Sequence, residues 1–262
     1  MYPELLHIGS WTLRTYSLML DLGIVLGVLL AYFEARRIGL PLERMIDLVI
    51  VAVVGGVVGA RLYYVAVNWP EFQNDFWKII RTWEGGLVLQ GAILGALVVS
   101  AIYIWRRKLP LFAILDMGMP GAILAQAVGR IGCLFNGCCY GVPTNAPWGI
   151  SFPLVVDSVP REPTQLFEFF GDLVVLGILW LLRKRKPFDG FIFALYLILY
   201  SIVRIVVEFY RGDPADTIGG FRVAQVASFG IMAAGFAVML FLLWRSLESS
   251  RRRESVETPV DS

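Results

Sequence analysis

Arg130 stands at the end of a strongly apolar stretch, in a segment rich in glycines and small polar side chains, residues 129–141, GRIGCLFNGCCYG. An arginine at membrane depth costs about 2.5–3.5 kcal/mol at a helix centre, and it usually faces an interior cavity or an anionic partner. Glycines beside it let a ligand or a neighbouring helix come close. The pattern therefore predicts a site that holds a negatively charged group inside a membrane.

A second set of polar side chains lies in and just after another apolar run. Tyr200, Arg204, Glu208 and Arg211 recur at spacings of four, four and three residues, which places them on one helical face. Like Arg130, both of these arginines lie towards the outer ends of their runs, where carboxylates are few. This excess of positive charge predicts a bound anion, and a lipid phosphate fits the fork of a guanidinium group.

Other polar side chains in the apolar runs have a structural alternative. Asp21, Asp116 or Glu208 could each neutralise a nearby arginine, because buried charges are normally paired. Gln90 and Gln165 could either pack between helices or contact a ligand. The sequence leaves both interpretations open for each residue.

The elements that must position these side chains are membrane-spanning helices. Of the 262 residues, 57% are hydrophobic and only 17% are charged, and the mean hydropathy of +0.68 excludes an ordinary soluble domain. Continuous apolar runs of about 20 residues cross a bilayer as helices, since every backbone group is then satisfied internally. We predict an all-α integral membrane protein with seven transmembrane helices, near residues 15–35, 46–67, 86–105, 111–133, 164–182, 189–208 and 223–244.

Basic residues set the predicted orientation. Fourteen of the 23 Lys and Arg residues lie in alternate connections, and six lie on the opposite side. By the positive-inside rule, this places the N-terminus outside and the C-terminus in the cytoplasm. Topology accounts for the basic residues, so no nucleic-acid partner is predicted.

The sequence predicts one seven-span catalytic domain, residues 1–247. Two non-apolar segments lie on its outer side: 68–85 has interfacial aromatic residues, and 134–163 has five prolines and forms a shaped loop. The polar residues 248–262 are predicted to form a disordered cytoplasmic tail. No internal repeat is apparent, which disfavours a transporter built from repeated halves.

Three cysteines, Cys133, Cys138 and Cys139, lie in the same segment as Arg130. No histidine is close by in the sequence to complete a zinc set, so we predict small packing residues and no metal. A disulfide between Cys133 and one of the other two is the alternative. Neither a ligand cluster nor a phosphate loop indicates a cofactor.

Several short motifs occur in order along nearly the whole chain. They are YSLM at 16–19, GARLY at 59–63, WEGG at 83–86, Asp116 before Pro120, the 129–141 segment, EPTQLFE at 162–168 and RIVVEFYR at 204–211. Together they resemble the bacterial prolipoprotein diacylglyceryl transferase family. The resemblance implies a multi-pass inner-membrane enzyme that transfers diacylglycerol from phosphatidylglycerol to the lipobox cysteine of a prolipoprotein signal peptide, releasing glycerol 1-phosphate.

The chain departs from the family pattern in two places. The usual Asn, Phe and Glu of the 129–141 segment are Cys133, Leu134 and Cys138, and the usual histidine is Gln90. A histidine base is therefore missing unless His7 folds back. We interpret the chain as a variant branch with the same reaction, since the arginines and the asparagine of the signature are retained; a related protein with changed chemistry is the alternative.

Residue roles follow from the motifs. Arg130 and Arg204 are predicted to stabilise the departing phosphate, and the thiol proton would pass to Glu208, through Tyr16 or water, or to that phosphate. The predicted substrate-binding residues are Arg130, Asn136, Gly141, Gln90, Tyr200 and Arg211. A non-catalytic membrane lipid-binding protein or an anionic-lipid transporter would use the same arginine site, and these are the alternative functions.

Overall fold

Seven helices in the described part of the chain are long and apolar enough to cross a membrane, which confirms the predicted all-α, seven-span class. The structure is a computed structural model that describes residues 4–8, 11–73, 75–82, 85–152 and 157–257. Membrane orientation and the single catalytic domain stay predictions. The helices are α1 (Thr15–Arg37), α2 (Leu42–Val67), α3 (Leu89–Arg106), α4 (Leu111–Asn136), α5 (Thr164–Leu182), α6 (Phe191–Glu208) and α7 (Val223–Glu257).

The connections contain short strands and 3-10 helices. The strands pair as antiparallel hairpins: β1 (Glu4–Ile8) with β2 (Trp11–Arg14), β3 (Ile150–Phe152) with β4 (Asp157–Arg161), and β5 (Thr217–Ile218) with β6 (Phe221–Arg222). The predicted outer segments contain the 3-10 helices Trp69–Glu71 and Phe76–Ile79 and the β3–β4 hairpin. The first two residues of the WEGG motif lie outside the described residues.

The chain divides into two compact units, one formed by residues up to 31 and from 115 onward, the other by residues 32–114. In the second unit, α2 and α3 pack closely along glycines. A Cβ atom built on Gly55 would lie 2.8 Å from Cβ of Val99, and one on Gly59 would lie 2.7 Å from Cα of Gly95. No side chain fits at these distances, so glycine is what lets the two helices approach.

Arg61, buried in α2, organises the connection between α2 and α3. Its guanidinium group donates to the backbone carbonyls of Ile79, Gly85 and Gly86 at 2.9, 2.7 and 3.1 Å. Its charge also lies over the rings of Tyr64 and Phe72. The protein's own backbone therefore occupies this arginine, which has a structural role.

Helices α4, α5 and α6 share a buried core in the other unit. Ile123, Val175, Leu179 and Ile192 pack together, and each is at most 2% exposed. Inside a bilayer such contacts stabilise helix association through close packing, because lipid tails are as apolar as the side chains. The core holds α5 against α6 and so fixes the polar residues on their neighbouring turns.

Asp116, near the start of α4, caps the N-terminus of α6. Its carboxylate accepts hydrogen bonds from the backbone N–H groups of Gly190 and Phe193 at 2.8 and 2.9 Å, and from Lys186 Nζ at 2.9 Å. The first N–H groups of a helix have no partner within it, and an acidic side chain satisfies them. Asp116 therefore has the structural role of neutralising a cation, but its partner is Lys186 and not the arginine that the sequence suggested.

Replacing Asp116 with alanine should lower the free energy of unfolding by about 1–3 kcal/mol, because two backbone N–H groups lose their acceptor. Thermal unfolding of the purified protein in detergent measures this loss. Asp116→Asn keeps one acceptor oxygen and should lose less. Unchanged stability in Asp116→Ala would contradict the capping role.

The predicted disorder of the tail is wrong for residues 248–257, because α7 continues to Glu257. These residues contain neither glycine nor proline, so the sequence has no helix breaker among them. Residues 258–262 lie outside the described residues.

Candidate active site

Glu168 on α5 joins two of the predicted site arginines. Its carboxylate forms an ion pair with Arg130 Nη2, and Arg204 Nη1 donates to its two oxygens at 2.9 and 3.2 Å. The Glu168 side chain is 2% exposed, and those of Arg130 and Arg204 are 16% and 14% exposed. The three charges are therefore shielded from solvent, where electrostatic interactions are strongest.

Glu208 extends this network at the end of α6. Arg204 Nη2 lies 3.0 Å from one Glu208 oxygen, and Arg222 Nε lies 2.6 Å from the other. Arg211 Nε lies 3.8 Å from that second oxygen. Arg204 and Glu208 share a face of α6 as predicted, whereas Arg211 lies beyond the end of the helix and reaches the same carboxylate from there.

Asp213, between α6 and α7, closes the network. It pairs with Arg211, and its Oδ1 lies 2.9 Å from Arg222 Nη2. Asp213 and Arg222 had no predicted role in the site. We call the whole set the arginine cluster: Arg130, Arg204, Arg211 and Arg222 with Glu168, Glu208 and Asp213.

The expectation that carboxylates are few around these arginines is wrong. Arg130, Arg204 and Arg211 each have a carboxylate partner, because residues distant in the sequence meet across the helices. Four guanidinium groups face three ion-paired carboxylates in the cluster. Sequence reasoning gave Glu168 no role, although a glutamate inside an apolar run is itself a signal of a functional site.

Tyr200 and Asp172 border the arginine cluster. The Tyr200 ring stacks on Tyr196, with 5.8 Å between ring centroids and 7° between planes, and its phenol group interacts electrostatically with Glu168. Asp172, one turn after Glu168 on α5, is fully buried. Neither of its carboxyl oxygens has a hydrogen-bond partner in the described residues.

Tyr16 and Asn136 lie beside the end of α4. Tyr16, in the first turn of α1, contacts Gly132 and interacts electrostatically with Arg130. Asn136, the last residue of α4, lies beside the thiol of Cys138. The structure thus brings these two predicted residues to the helix end that carries Arg130.

Gly141 is a point of close backbone crossing. Its N–H donates to the carbonyl of Glu162 at 2.9 Å, and its backbone pairs with that of Arg211. A Cβ atom there would lie 2.5 Å from Cβ of Glu162 and 2.8 Å from the carbonyl oxygen of Tyr210. The glycine therefore lets the segment after α4 seat Arg211 in the cluster.

Gln90 lies in the other compact unit, exposed in the first turn of α3. Among the described residues, neither Gln90 nor Asp21, exposed on α1, has a hydrogen-bond or ion-pair partner. Contact of Gln90 with substrate stays a prediction. The side chain of His7 lies outside the described residues.

The three cysteines converge on one point. They are free thiols rather than a disulfide pair, and their sulfur atoms all lie within 4.8 Å of one another. The thiol of Cys138 donates a hydrogen bond of 3.7 Å to the backbone carbonyl of Cys133. Thiolates are the donors that soft metal ions prefer.

An apolar groove of about 470 Å³ lies between α5 and α6. Most of its wall is aliphatic or aromatic, and a hydrogen bond of 2.8 Å from the indole of Trp148 to Glu162 marks its polar part. The remaining lining residues neighbour Glu168 and Arg204 in the chain: Phe167, Gly171, Val203, Val206, Val207 and Tyr210.

Comparison with known proteins gives one consistent result. The family profile described as prolipoprotein diacylglyceryl transferase matches residues 3–241. The protein of Gloeobacter violaceus named phosphatidylglycerol--prolipoprotein diacylglyceryl transferase is 36% identical to this chain, over 97% of this chain and 96% of the relative. Those of Synechococcus elongatus and Thermotoga maritima are 35% and 36% identical, over 92% and 94% of this chain and 86% of each relative.

Proposed function

The chain belongs to the prolipoprotein diacylglyceryl transferase family, and we propose that its arginine cluster binds the phosphate of phosphatidylglycerol. The enzyme transfers the diacylglyceryl group to the thiol of a prolipoprotein, forming a thioether and releasing glycerol 1-phosphate. The observation that carries the site assignment is the pairing of Arg130 and Arg204 on the buried Glu168.

Charge development in the reaction explains why arginines suit this position. The substrate thiolate attacks a glyceryl carbon, the bond from that carbon to the phosphate oxygen breaks, and the departing phosphate gains negative charge. Fixed cations near a leaving group stabilise that charge in the transition state. The arginine cluster holds four guanidinium groups, and the phosphodiester of phosphatidylglycerol carries one negative charge that they would attract.

Neutral side chains then orient the headgroup. Tyr16, Asn136 and Tyr200 border the cluster and offer hydroxyl or amide donors for the glycerol hydroxyls and phosphate oxygens. Gly141 contributes by seating the backbone of Arg211. Glu208 positions the arginines beside it, and its Oε2 has no hydrogen-bond partner among the described residues, so Glu208 stays a candidate proton acceptor.

The apolar groove between α5 and α6 suits an acyl chain. It lies between the two helices that carry Glu168, Arg204 and Glu208, so an acyl chain in the groove would lie on the same helix pair as the phosphate site. The protein partner is the lipobox region of a prolipoprotein signal peptide, and the site of action is the bacterial inner membrane. Seven apolar helices support a multi-pass membrane location.

One assay separates this function from its alternatives. Purified protein is incubated with phosphatidylglycerol and a lipobox peptide, and the peptide is analysed by mass spectrometry. We expect a diacylglyceryl peptide and equimolar glycerol phosphate. A lipid-binding protein or an anionic-lipid transporter would bind phosphatidylglycerol and leave the peptide unmodified, and that result would overturn the assignment as an enzyme.

Gln90→Ala should reduce the transfer rate less than Arg130→Ala does. A neutral amide contributes at most a neutral hydrogen bond, which is about half as strong as a charge-assisted one. The initial rates of both variants in the same lipobox assay test this order. An equal or greater loss in Gln90→Ala would show that this glutamine has a central catalytic role.

A further inference from the structure

The cysteines at the end of α4 form a group that phosphate binding does not use. Their sulfur atoms lie within 4.8 Å of one another. Zn–S bonds of about 2.3 Å in tetrahedral geometry place sulfur atoms about 3.8 Å apart. Side-chain rotations that move the sulfur atoms by less than about 1 Å would therefore bring all three to bonding distance of one cation.

The backbone already holds the three thiols in place. The N–H of Cys138 donates to the carbonyl of Cys133 at 3.1 Å, which folds the chain back over the helix end. The carbonyls of Cys138 and Cys139 accept hydrogen bonds from Gln165 Nε2 at 2.7 Å and Thr164 Oγ1 at 2.6 Å. Both donors are at most 1% exposed, so the turn is fixed by buried contacts.

Cys139 also has an unusual backbone conformation, with φ of +61°. This left-handed region is uncommon outside glycine and costs free energy, so surrounding structure must hold it. Here it turns the third thiol towards the other two. Strain of this kind collects at functional sites.

Charges around the group favour thiolates. Arg130 interacts electrostatically with Cys133 and Cys139, and Arg211 with Cys139. Three thiolates on one divalent cation carry one net negative charge, and the guanidinium groups of Arg130 and Arg211 lie beside them. No fourth ligand side chain joins the group among the described residues.

We propose that Cys133, Cys138 and Cys139 bind one Zn²⁺ ion, and that its open fourth position takes the thiol of the prolipoprotein cysteine. Catalytic zinc sites characteristically keep three protein ligands and one open position. Cys138 and Cys139 are only half-buried, so this position can be reached. The inference rests on the proposed function and supplies the thiol activation that a missing histidine leaves unexplained, and it revises the sequence prediction of no metal.

With the cation in place, loss of the thiol proton needs no histidine base. A coordinating thiol loses its proton as its sulfur binds the cation. Cys133 lies one helical turn after Arg130 on the same face of α4, so the bound sulfur lies close to the glyceryl carbon of a lipid held at Arg130. The carbon–sulfur bond forms as the carbon–oxygen bond breaks, and the departing glycerol 1-phosphate takes up the proton.

Cobalt substitution tests metal binding independently of turnover. The full-length protein, reduced and stripped with a chelator in detergent, is titrated with Co²⁺. We expect one equivalent to bind, with thiolate-to-cobalt charge-transfer absorption that Zn²⁺ abolishes and that a lipobox peptide changes. A lipobox peptide with serine in place of cysteine should cause no change. Absence of the charge-transfer band overturns the proposal.

The role in catalysis has its own measurement. The stripped enzyme should lose transfer activity and regain it with Zn²⁺. Cys138→Ser removes a ligand, so it should weaken Co²⁺ binding by more than the roughly 10–100-fold loss of metal affinity seen when a residue that only contacts a ligand is changed. Undiminished transfer by metal-free enzyme overturns the proposal while leaving the transferase function intact. Failure of the zinc-loaded enzyme to transfer, with the cobalt spectrum and its response to the peptide as expected, would instead count against the transferase function.

Discussion

Arg130→Ala is expected to lower the rate of diacylglyceryl transfer by about 100- to 1,000-fold, the loss typical when one group that stabilises transition-state charge is removed. The protein should still fold and insert, because Arg204 continues to pair with both oxygens of Glu168. The measurement is single-turnover formation of the diacylglyceryl peptide at saturating phosphatidylglycerol.

A lysine at this position separates charge from geometry. Arg130→Lys keeps the positive charge and loses the planar fork that binds phosphate with two parallel hydrogen bonds. Its transfer rate should therefore lie between the rates of Arg130→Ala and the unchanged enzyme. Arg161→Ala is the matched control, since Arg161 is also an ion-paired arginine and pairs with Asp157 outside the cluster. Robust transfer by Arg130→Ala would remove Arg130 from the catalytic site.

Glu168→Gln is expected to impair both stability and rate. Glu168 is the shared partner of Arg130 and Arg204, so the neutral amide leaves two shielded guanidinium groups without their common counter-charge. Breaking a buried ion pair by removing one partner typically costs about 3–5 kcal/mol. Misplacement of catalytic groups by about 1 Å can cost about 100-fold in rate, so we expect a loss of that order in kcat.

Two variants show whether the effect comes from the charge of Glu168. Glu168→Asp retains the carboxylate on a shorter side chain and should recover part of the rate. Asp189→Asn makes the same acid-to-amide change at an exposed ion pair with Lys186, at the other end of the α5–α6 pair, and should keep the rate. Transfer by Glu168→Gln at the unchanged rate would show that the arginines hold their positions without it.

Helix existence could be predicted from the sequence because hydropathy is a local property. The run at 164–182 coincides with α5, and other boundaries differ by a few residues. The largest difference is in α7, which extends into a polar segment that propensity alone does not stop.

Side-chain partners were much less predictable. Periodicity correctly placed Arg204 and Glu208 on one face of α6, because neighbours within a helix follow from spacing. It did not indicate Glu168 as the partner of Arg130, since the two are 38 positions apart and meet only when α4 packs on α5. Carboxylates appeared to be few around the arginines because spacing within one helix does not reveal carboxylates on the other helices.

The sequence by itself therefore determined the seven-span class, the family and the arginines of the site, because an apolar run, a motif and a misplaced charge can each be recognised in a local stretch. Only the tertiary structure decided how those charges are balanced and that three thiols meet at one point. Cys133, Cys138 and Cys139 are close in the sequence, but their convergence depends on a left-handed residue and on hydrogen bonds from α5. Such contacts are set by helix packing, which spacing along one chain segment does not specify.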